Sequence, residues 1–293
     1  MRVVAMLGVC VAAMLAASAA ARAAAPIAVV AAENFYGDVA QQIGGPNVAV
    51  TSILSNPDED PHLFEVSPSV GRALAGARIV IYSGIDYDPW MVKMLHAVAG
   101  RGRTAIDVAA LIGRKPGDNP HIWYDPATMP ALAKRLAAAL ARLDPSHRSA
   151  YEQRLAKFEQ SLRPIDARIA ALRRRLAGTP ATATEPVFGY MLTALGMPSL
   201  NQRFQVAVMN NTEPSAGEIA AFEDDLRRHR VRLLVYNSQA SDPVARHMVD
   251  IANAAHVPVI GATETEPPGL DYQAWMTREL DAVARALPPP AGR

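Results

Sequence analysis

The chain has 293 residues, 50% hydrophobic and 19% charged, with 29 Lys and Arg against 28 Asp and Glu for a net charge of +1. Such a balance excludes a disordered polyelectrolyte and supplies no basic excess of the kind a nucleic-acid binder carries, so no nucleic acid is expected among the partners. The length suffices for two lobes or one large domain with a sizeable core.

The N-terminus reads as an export signal. Met1 and Arg2 precede the apolar run "VVAMLGVCVAAMLAASAA", and "ARA" at 21–23 is a small-x-small cleavage site, which places cleavage near Ala23. The competing reading is a membrane anchor, but the run is alanine-rich and only marginally long enough to span. Cys10, the sole cysteine, lies inside this segment. A mature chain starting at Ala24 therefore has no disulfide, no thiolate metal ligand and no cysteine nucleophile.

From residue 26 apolar runs alternate with helical patterns. "PIAVVAAEN" (26–34) predicts a strand, "FYGDVAQQIGG" a helix ending on Gly-Gly, and "VAVTSILS" (48–55) a second strand. The loop "NPDEDPHLFEVSPS" (56–69) follows, with Ser67 and Pro68 as cap and first residue of a helix to about Ala75. "RIVIYSG" (78–84) is a buried strand, "DPWMVKMLHAV" a helix and "RTAIDVA" (103–109) a weaker strand. The loop "GDNPHIWYDPATMP" (117–130) repeats the Pro-His pattern, and Asp125-Pro126 open a helix to about Leu143. Residues 144–178 form a long polar helical segment, begun by Asp144-Pro145, ended by Gly178 and expected to be kinked rather than ended by Pro164.

The alternation then resumes. "PATATEPVFGYMLTALGM" (180–197) gives strand, turn and helix, and Ser215 with Glu218 forms a capping box. "VRLLVYNSQ" (231–239) and "VPVIGATE" (257–264) are buried strands, and a last helix covers 270–287 before a Pro-rich tail. The predicted architecture is α/β: two lobes, each a mainly parallel sheet flanked by helices, joined by one long helix. The divisions are 1–23 signal, 24–143 first lobe, 144–178 connecting helix and 179–293 second lobe.

Two histidines, His62 and His121, occupy similar Pro-His loops after strands of the first lobe. In the second lobe Glu185 and Glu264 end strands at matching places. Two imidazoles and two carboxylates meeting in one cleft would bind a divalent first-row metal. His96, His147, His229, His247 and His256 fall on helices, caps or a strand entry and are read as structural. The Asp58-Glu59-Asp60 run is read as a solvated turn or an outer funnel for cations. "RRR" (173–175) and "RRHR" (227–230) are read as solvated helix ends, where cations suit the dipole. No G-x-S-x-G elbow, P-loop or dinucleotide fingerprint is present.

The stretches "DPHLFEVSPS" (60–69), "LAGARIVIYSGIDYDPWM" (74–91), "NPHIWYDP" (119–126), "EPVFGYMLTALGM" (185–197), "EPSAGEI" (213–219) and "ATET" (262–265) carry a resemblance over nearly the whole mature chain. It resembles the metal-specific solute-binding proteins of ABC importers, the zinc/manganese family of periplasmic metal-binding lipoproteins and adhesin-like proteins. The resemblance implies a metal held between the lobes by one residue from each of four loops: His62, His121, Glu185 and Glu264, with Glu266 the alternative fourth ligand. Zinc-selective members place a histidine where Glu185 stands and carry a long His-rich loop where this chain has the short "GRKPGDNP" (113–120). The expected cargo is therefore a divalent transition metal, manganese or zinc with a lean to manganese, iron being a further option. Also implied are a periplasmic location, a membrane permease of an ABC importer as partner, a monomeric state and restricted hinge motion about the single helix. The competing functions are an exported metal-dependent hydrolase and an adhesion or interaction protein on the same fold.

Overall fold

The structure is a computed structural model that describes residues 25–57, 61, 64–100, 102–239 and 242–289. The first lobe holds β1 (Ile27–Glu33), α1 (Asn34–Gly44), β2 (Val48–Leu54), α2 (Pro68–Gly76), β3 (Ile79–Tyr82), α3 (Pro89–Ala97), β4 (Thr104–Asp107), the short α4 (Val108–Leu111) and α5 (Thr128–Leu143). The connecting helix is α6 (Arg148–Leu176), entered through a 3-10 turn at Pro145–His147. The second lobe holds β5 (Ala181–Ala183), α7 (Gly189–Ala194), β6 (Ser199–Leu200), α8 (Gln202–Met209), α9 (Ala216–Arg227), β7 (Leu234–Asn237), α10 (Pro243–Ala254), β8 (Val259–Ala262) and α11 (Tyr272–Ala286).

Each lobe has one four-stranded sheet, ordered β2-β1-β3-β4 and β6-β5-β7-β8, and every strand pair is parallel. The two orders are the same topology used twice. β1 reads as a continuous apolar run because helices cover both of its faces, as for a central parallel strand. In each sheet the chain order reverses beside the first strand, between β1 and β3 and between β5 and β7. Such a reversal marks the carboxyl ends of the strands as the usual ligand position in sheets of this kind.

The helix α6 has 29 residues, about 43 Å at 1.5 Å per residue, and Pro164 sits inside it without ending it. Its buried stripe runs Tyr151, Phe158, Leu162, Ile165, Ile169, Leu172 and Leu176. These spacings of three, four and seven keep one apolar face toward the protein. Arg173–Arg175 close its last turn, and Arg173 Nη1 donates to the carbonyls of Thr193 and Ala194 at 3.1 and 2.8 Å. The second arginine run pairs with acids of α9: Arg227 with Glu223, and Arg228 and Arg230 with Asp224. The capping box of Ser215 and Glu218 is present.

One apolar core runs through both lobes, joining Phe35 and Ile81 of the first to Phe188, Val235 and Trp275 of the second by way of α6. Each large apolar side chain fully buried there contributes roughly 1.5–3 kcal/mol. Smaller clusters lie on the outer flanks, around Leu74 and Met91 in the first lobe and around Phe204, Phe222 and Met248 in the second.

Several boundaries are tighter than the sequence reading, β7 and β4 among them, and two such shifts lie beside the site. The helix expected from Asp125-Pro126 starts at Thr128, because Asp125 instead closes a turn, accepting from Ala127 N at 3.0 Å while its carbonyl accepts from Thr128 N. The last strand is shorter, Val259–Ala262, so Glu264 stands in the loop beyond it.

Candidate metal centre

The carboxyl ends of the two sheets face each other across the lobe boundary. His121 is fully buried and leads into a 3-10 turn at Ile122–Tyr124. Its ring Nδ1 lies 2.7 Å from Asn119 Oδ1, which also accepts from His121 N at 3.1 Å. The Asn119 amide cannot be reversed, because its Nδ2 donates to the Pro186 carbonyl at 2.7 Å. An oxygen facing the ring requires a proton on Nδ1, so in the neutral ring, the form that binds metals, Nε2 carries the lone pair. That nitrogen is 3.4 Å from Glu264 Oε2, with both side chains essentially buried.

Glu264 is held from both lobes. Tyr87 Oη donates to its Oε2 at 3.0 Å and Asn237 Nδ2 to its Oε1 at 2.7 Å. Tyr87 is aimed by an unusual turn. Gly84, Ile85 and Asp86 have φ of 75°, 44° and 63°, a left-handed run that is strained for the β-branched Ile85. Asp88 pins the turn, accepting from Ser83 N at 2.7 Å and Gly84 N at 2.8 Å. A side chain at Gly84 would place its Cβ 2.5 Å from an Asp107 carboxylate oxygen.

Beneath Tyr87 lies a buried acid pair. Burial, then the nearby Asp88 charge, pushes the Glu33 carboxyl well above its ordinary range. Burial raises Asp88 to about 6 against the hydrogen bonds from Gly84 and Ser83 that favour its charge. Burial and the repulsion between the two carboxyls both work against a second negative charge on the pair.

Glu185 is 4% exposed and extended, immediately before a 3-10 turn at Pro186–Phe188. The Asn119–Pro186 bond stitches its loop to that of His121, and Tyr190 Oη donates to the Asn119 carbonyl at 2.8 Å. Glu266 is buried but serves elsewhere. Its backbone pairs with Asn34 through two bonds of 2.7 and 2.9 Å. Burial, reinforced by the charges of Asp38 and Asp271, pushes its carboxyl up to about 9. Of the two glutamates, Glu264 is the one brought to His121. His62 and the run Asp58-Glu59-Asp60 lie outside the described residues. Among the described residues no three His, Asp or Glu side chains are gathered closely enough to hold an ion. His147 and His247 pair with Asp144 and Glu223 on the surface, as structural residues do. No described helix is long and apolar enough to cross a membrane.

Sequence reasoning picked out the imidazole of His121 and the carboxylate of Glu264 but assigned no role to Tyr87, Asn119, Asn237 or Gln239. The one local signal was Asn119, two residues before His121 in a quoted motif.

Residues 29–286 match the family model described as the zinc-uptake complex component A, periplasmic. The manganese ABC transporter substrate-binding lipoprotein PsaA of Streptococcus pneumoniae is 23% identical over 283 residues, covering 88% of each chain. The high-affinity zinc uptake system protein ZnuA of Paracoccus denitrificans is 23% identical over 230 residues, 65% of this chain and 69% of that one. The solved structure of the periplasmic zinc-binding protein TroA from Treponema pallidum superposes with a TM-score of 0.75 at 20% identity, over 89% of this chain and 99% of that one. These relatives are metal-binding and substrate-binding proteins, which is at odds with the hydrolase reading.

Proposed function

Because the chain belongs to the family of periplasmic zinc-uptake complex component A proteins, we propose that it captures a divalent transition metal between its lobes and delivers it to the membrane permease of an ABC importer. The observation that carries this reading is the buried His121 Nε2 held 3.4 Å from a Glu264 carboxylate that Tyr87 and Asn237 orient. A cation satisfies both groups at once, and outer partners that fix tautomer and carboxylate are what a metal ligand requires.

The proposed ligands are His62, His121, Glu185 and Glu264. Two carboxylate ligands make the donor set harder than one with three imidazoles, which favours manganese over zinc, with iron also within its range. Four protein ligands leave little room for a reactive metal-bound water, which suits carriage rather than catalysis. We further propose that residues 1–23 are an export leader, that the mature chain works as a monomer in the periplasm, and that 24–143, 144–178 and 179–293 are its lobes and connecting helix.

The test strips the mature chain with chelator and titrates Mn and Zn separately and in competition, following heat and melting temperature. One-to-one binding is expected, with a stabilisation of about 4 kcal/mol once free metal reaches about a thousand times Kd. Glu185→His should shift preference toward Zn. Binding of neither ion, or a His121→Ala variant that binds as the parent does, refutes the reading.

A further inference from the structure

We infer that Gln239, on the loop after β7, is a positioning residue of the metal centre that ties the Glu264 loop of the second lobe to the first lobe's loop after β2. This role rests on the reading of Glu264 as a ligand.

The Gln239 carboxamide uses its full hydrogen-bonding capacity in one place. Its Oε1 accepts from the backbone N–H groups of Glu264 and of Thr265, the latter at 3.0 Å. Its Nε2 donates to the Pro57 carbonyl at 3.0 Å and to Thr265 Oγ1 at 2.9 Å. The orientation is unambiguous, because two N–H groups demand the oxygen on one side and a proline carbonyl demands the nitrogen on the other. Its own backbone N–H donates to Asn237 Oδ1 at 3.1 Å, and the same Asn237 holds Glu264 Oε1 from Nδ2. Asn237 is fixed in turn by Thr184, whose Oγ1 accepts from Asn237 N at 3.1 Å, one residue before Glu185. The carboxylate and the backbone of Glu264 are thus set by Asn237, the last residue of β7, and by Gln239, two residues on. The bond to Pro57 crosses 182 positions in the sequence and reaches the first-lobe loop in which His62 is numbered.

A group that fixes both the backbone of a ligand and the distance between the two lobes' loops acts on ion release more than on capture. The bonds are in place before the ion leaves and must be broken for the loops to part. Outer partners of this kind change metal affinity by roughly 10–100-fold.

The test compares Gln239→Leu and Gln239→Glu with the parent as full mature chains loaded with Mn(II). Dissociation is followed by chelator challenge, coordination by the Mn(II) paramagnetic resonance spectrum, and folding by the metal-free melting temperature. Gln239→Glu keeps the acceptor for the Glu264 and Thr265 N–H groups and removes the donations to the Pro57 carbonyl and to Thr265 Oγ1, of which only the first crosses between the lobes. It should dissociate about tenfold faster with a parental spectrum. Gln239→Leu removes both functions, so it should dissociate faster still with an altered spectrum. Association rates and metal-free melting should stay near parental values. Parental or slower dissociation in Gln239→Glu overturns the tie between lobes, even if Gln239→Leu does not fold. A metal-free melting loss as large as the loaded one makes the residue merely structural. If the parent chain takes up neither Mn nor Zn, the metal reading itself fails and this role with it.

Discussion

Replacing Asn119 with alanine removes three bonds at once: the 2.7 Å contact to the His121 ring, the 3.1 Å bond from His121 N and the 2.7 Å donation to the Pro186 carbonyl. The ring then loses what selects its tautomer, and the Glu185 loop loses its stitch to the His121 loop. Removing outer-shell partners of metal-bound histidines costs about 10–100-fold in affinity, or about 1.4–2.7 kcal/mol at 1.4 kcal/mol per decade. Fold stability should fall less than three buried bonds would suggest, because the loop is half-buried and water can replace the Pro186 partner. Asn119→Asp separates the two roles. It keeps an acceptor for the ring, strengthened by charge, but cannot donate to Pro186. Mn and Zn titrations by calorimetry should therefore rank parent, Asp and Ala in descending affinity. An alanine variant that binds within about threefold of the parent, well short of the outer-shell effect, refutes the tautomer argument. So do equal losses in Asp and Ala.

Three further outcomes follow from named contacts. A Cβ at Gly189 would fall 2.8 Å from Asn119 Nδ2. Gly189→Ala should therefore displace Asn119 and weaken metal binding several-fold with little change in metal-free melting; unchanged titrations would show that Asn119 has room to move. Tyr87→Phe deletes the 3.0 Å bond to Glu264 Oε2 and should cost about 0.5–1.5 kcal/mol of binding, read from the same titrations; a variant binding with undiminished affinity would show that the hydroxyl does not orient the carboxylate. Burial raises the Glu279 carboxyl from 4.5 to about 7. Its raised value means that its contribution to stability is complete below about pH 4.5 and is lost as pH rises through 7, up to about 3 kcal/mol. Glu279→Gln should flatten that part of the profile in urea unfolding, and parallel profiles would contradict the assignment.

The strands were legible where they are buried on both faces. β1 and β3 are continuous apolar runs, and a parallel strand between helix layers needs nothing else. β6 was not legible: it has two residues, paired only as Ala181↔Ser199 and Thr182↔Leu200, too short for any period. Helix α8, which follows it, also went unrecognised. His121 and Glu264 stood out because each follows a strand in a loop rather than lying on a helix. Their supports did not, for a physical reason. Tyr87 reaches Glu264 over 177 positions and Asn119 reaches Pro186 over 67, so each role exists only once the lobes have met. Which of Glu264 and Glu266 faces His121 likewise shows only in the fold, because two loop residues of one type differ only in what they face.

The loops that carry the proposed ligands are also the loops that join the lobes. Asn34 binds the Glu266 backbone, Tyr87 binds Glu264, Asn119 binds Pro186, Tyr124 Oη donates to the Thr263 carbonyl at 2.9 Å and Gln239 binds Pro57. A wide opening would break all of them, at about 1 kcal/mol net apiece, and would also expose the apolar core that Phe35, Trp123 and Trp275 share across the boundary. Swinging about α6 is therefore the costly route, and moving single loops is the cheap one. Ion exchange should accordingly leave the lobe arrangement nearly fixed and be confined to the segments that hold Glu264 and Glu185 and the loop after β2. Small-angle scattering of the metal-free and metal-loaded chain should give superimposable profiles. Hydrogen exchange should then change chiefly in those loops on loading. A clear compaction on loading would show that the shared core does not hold the lobes together, and that these ties form only around the ion.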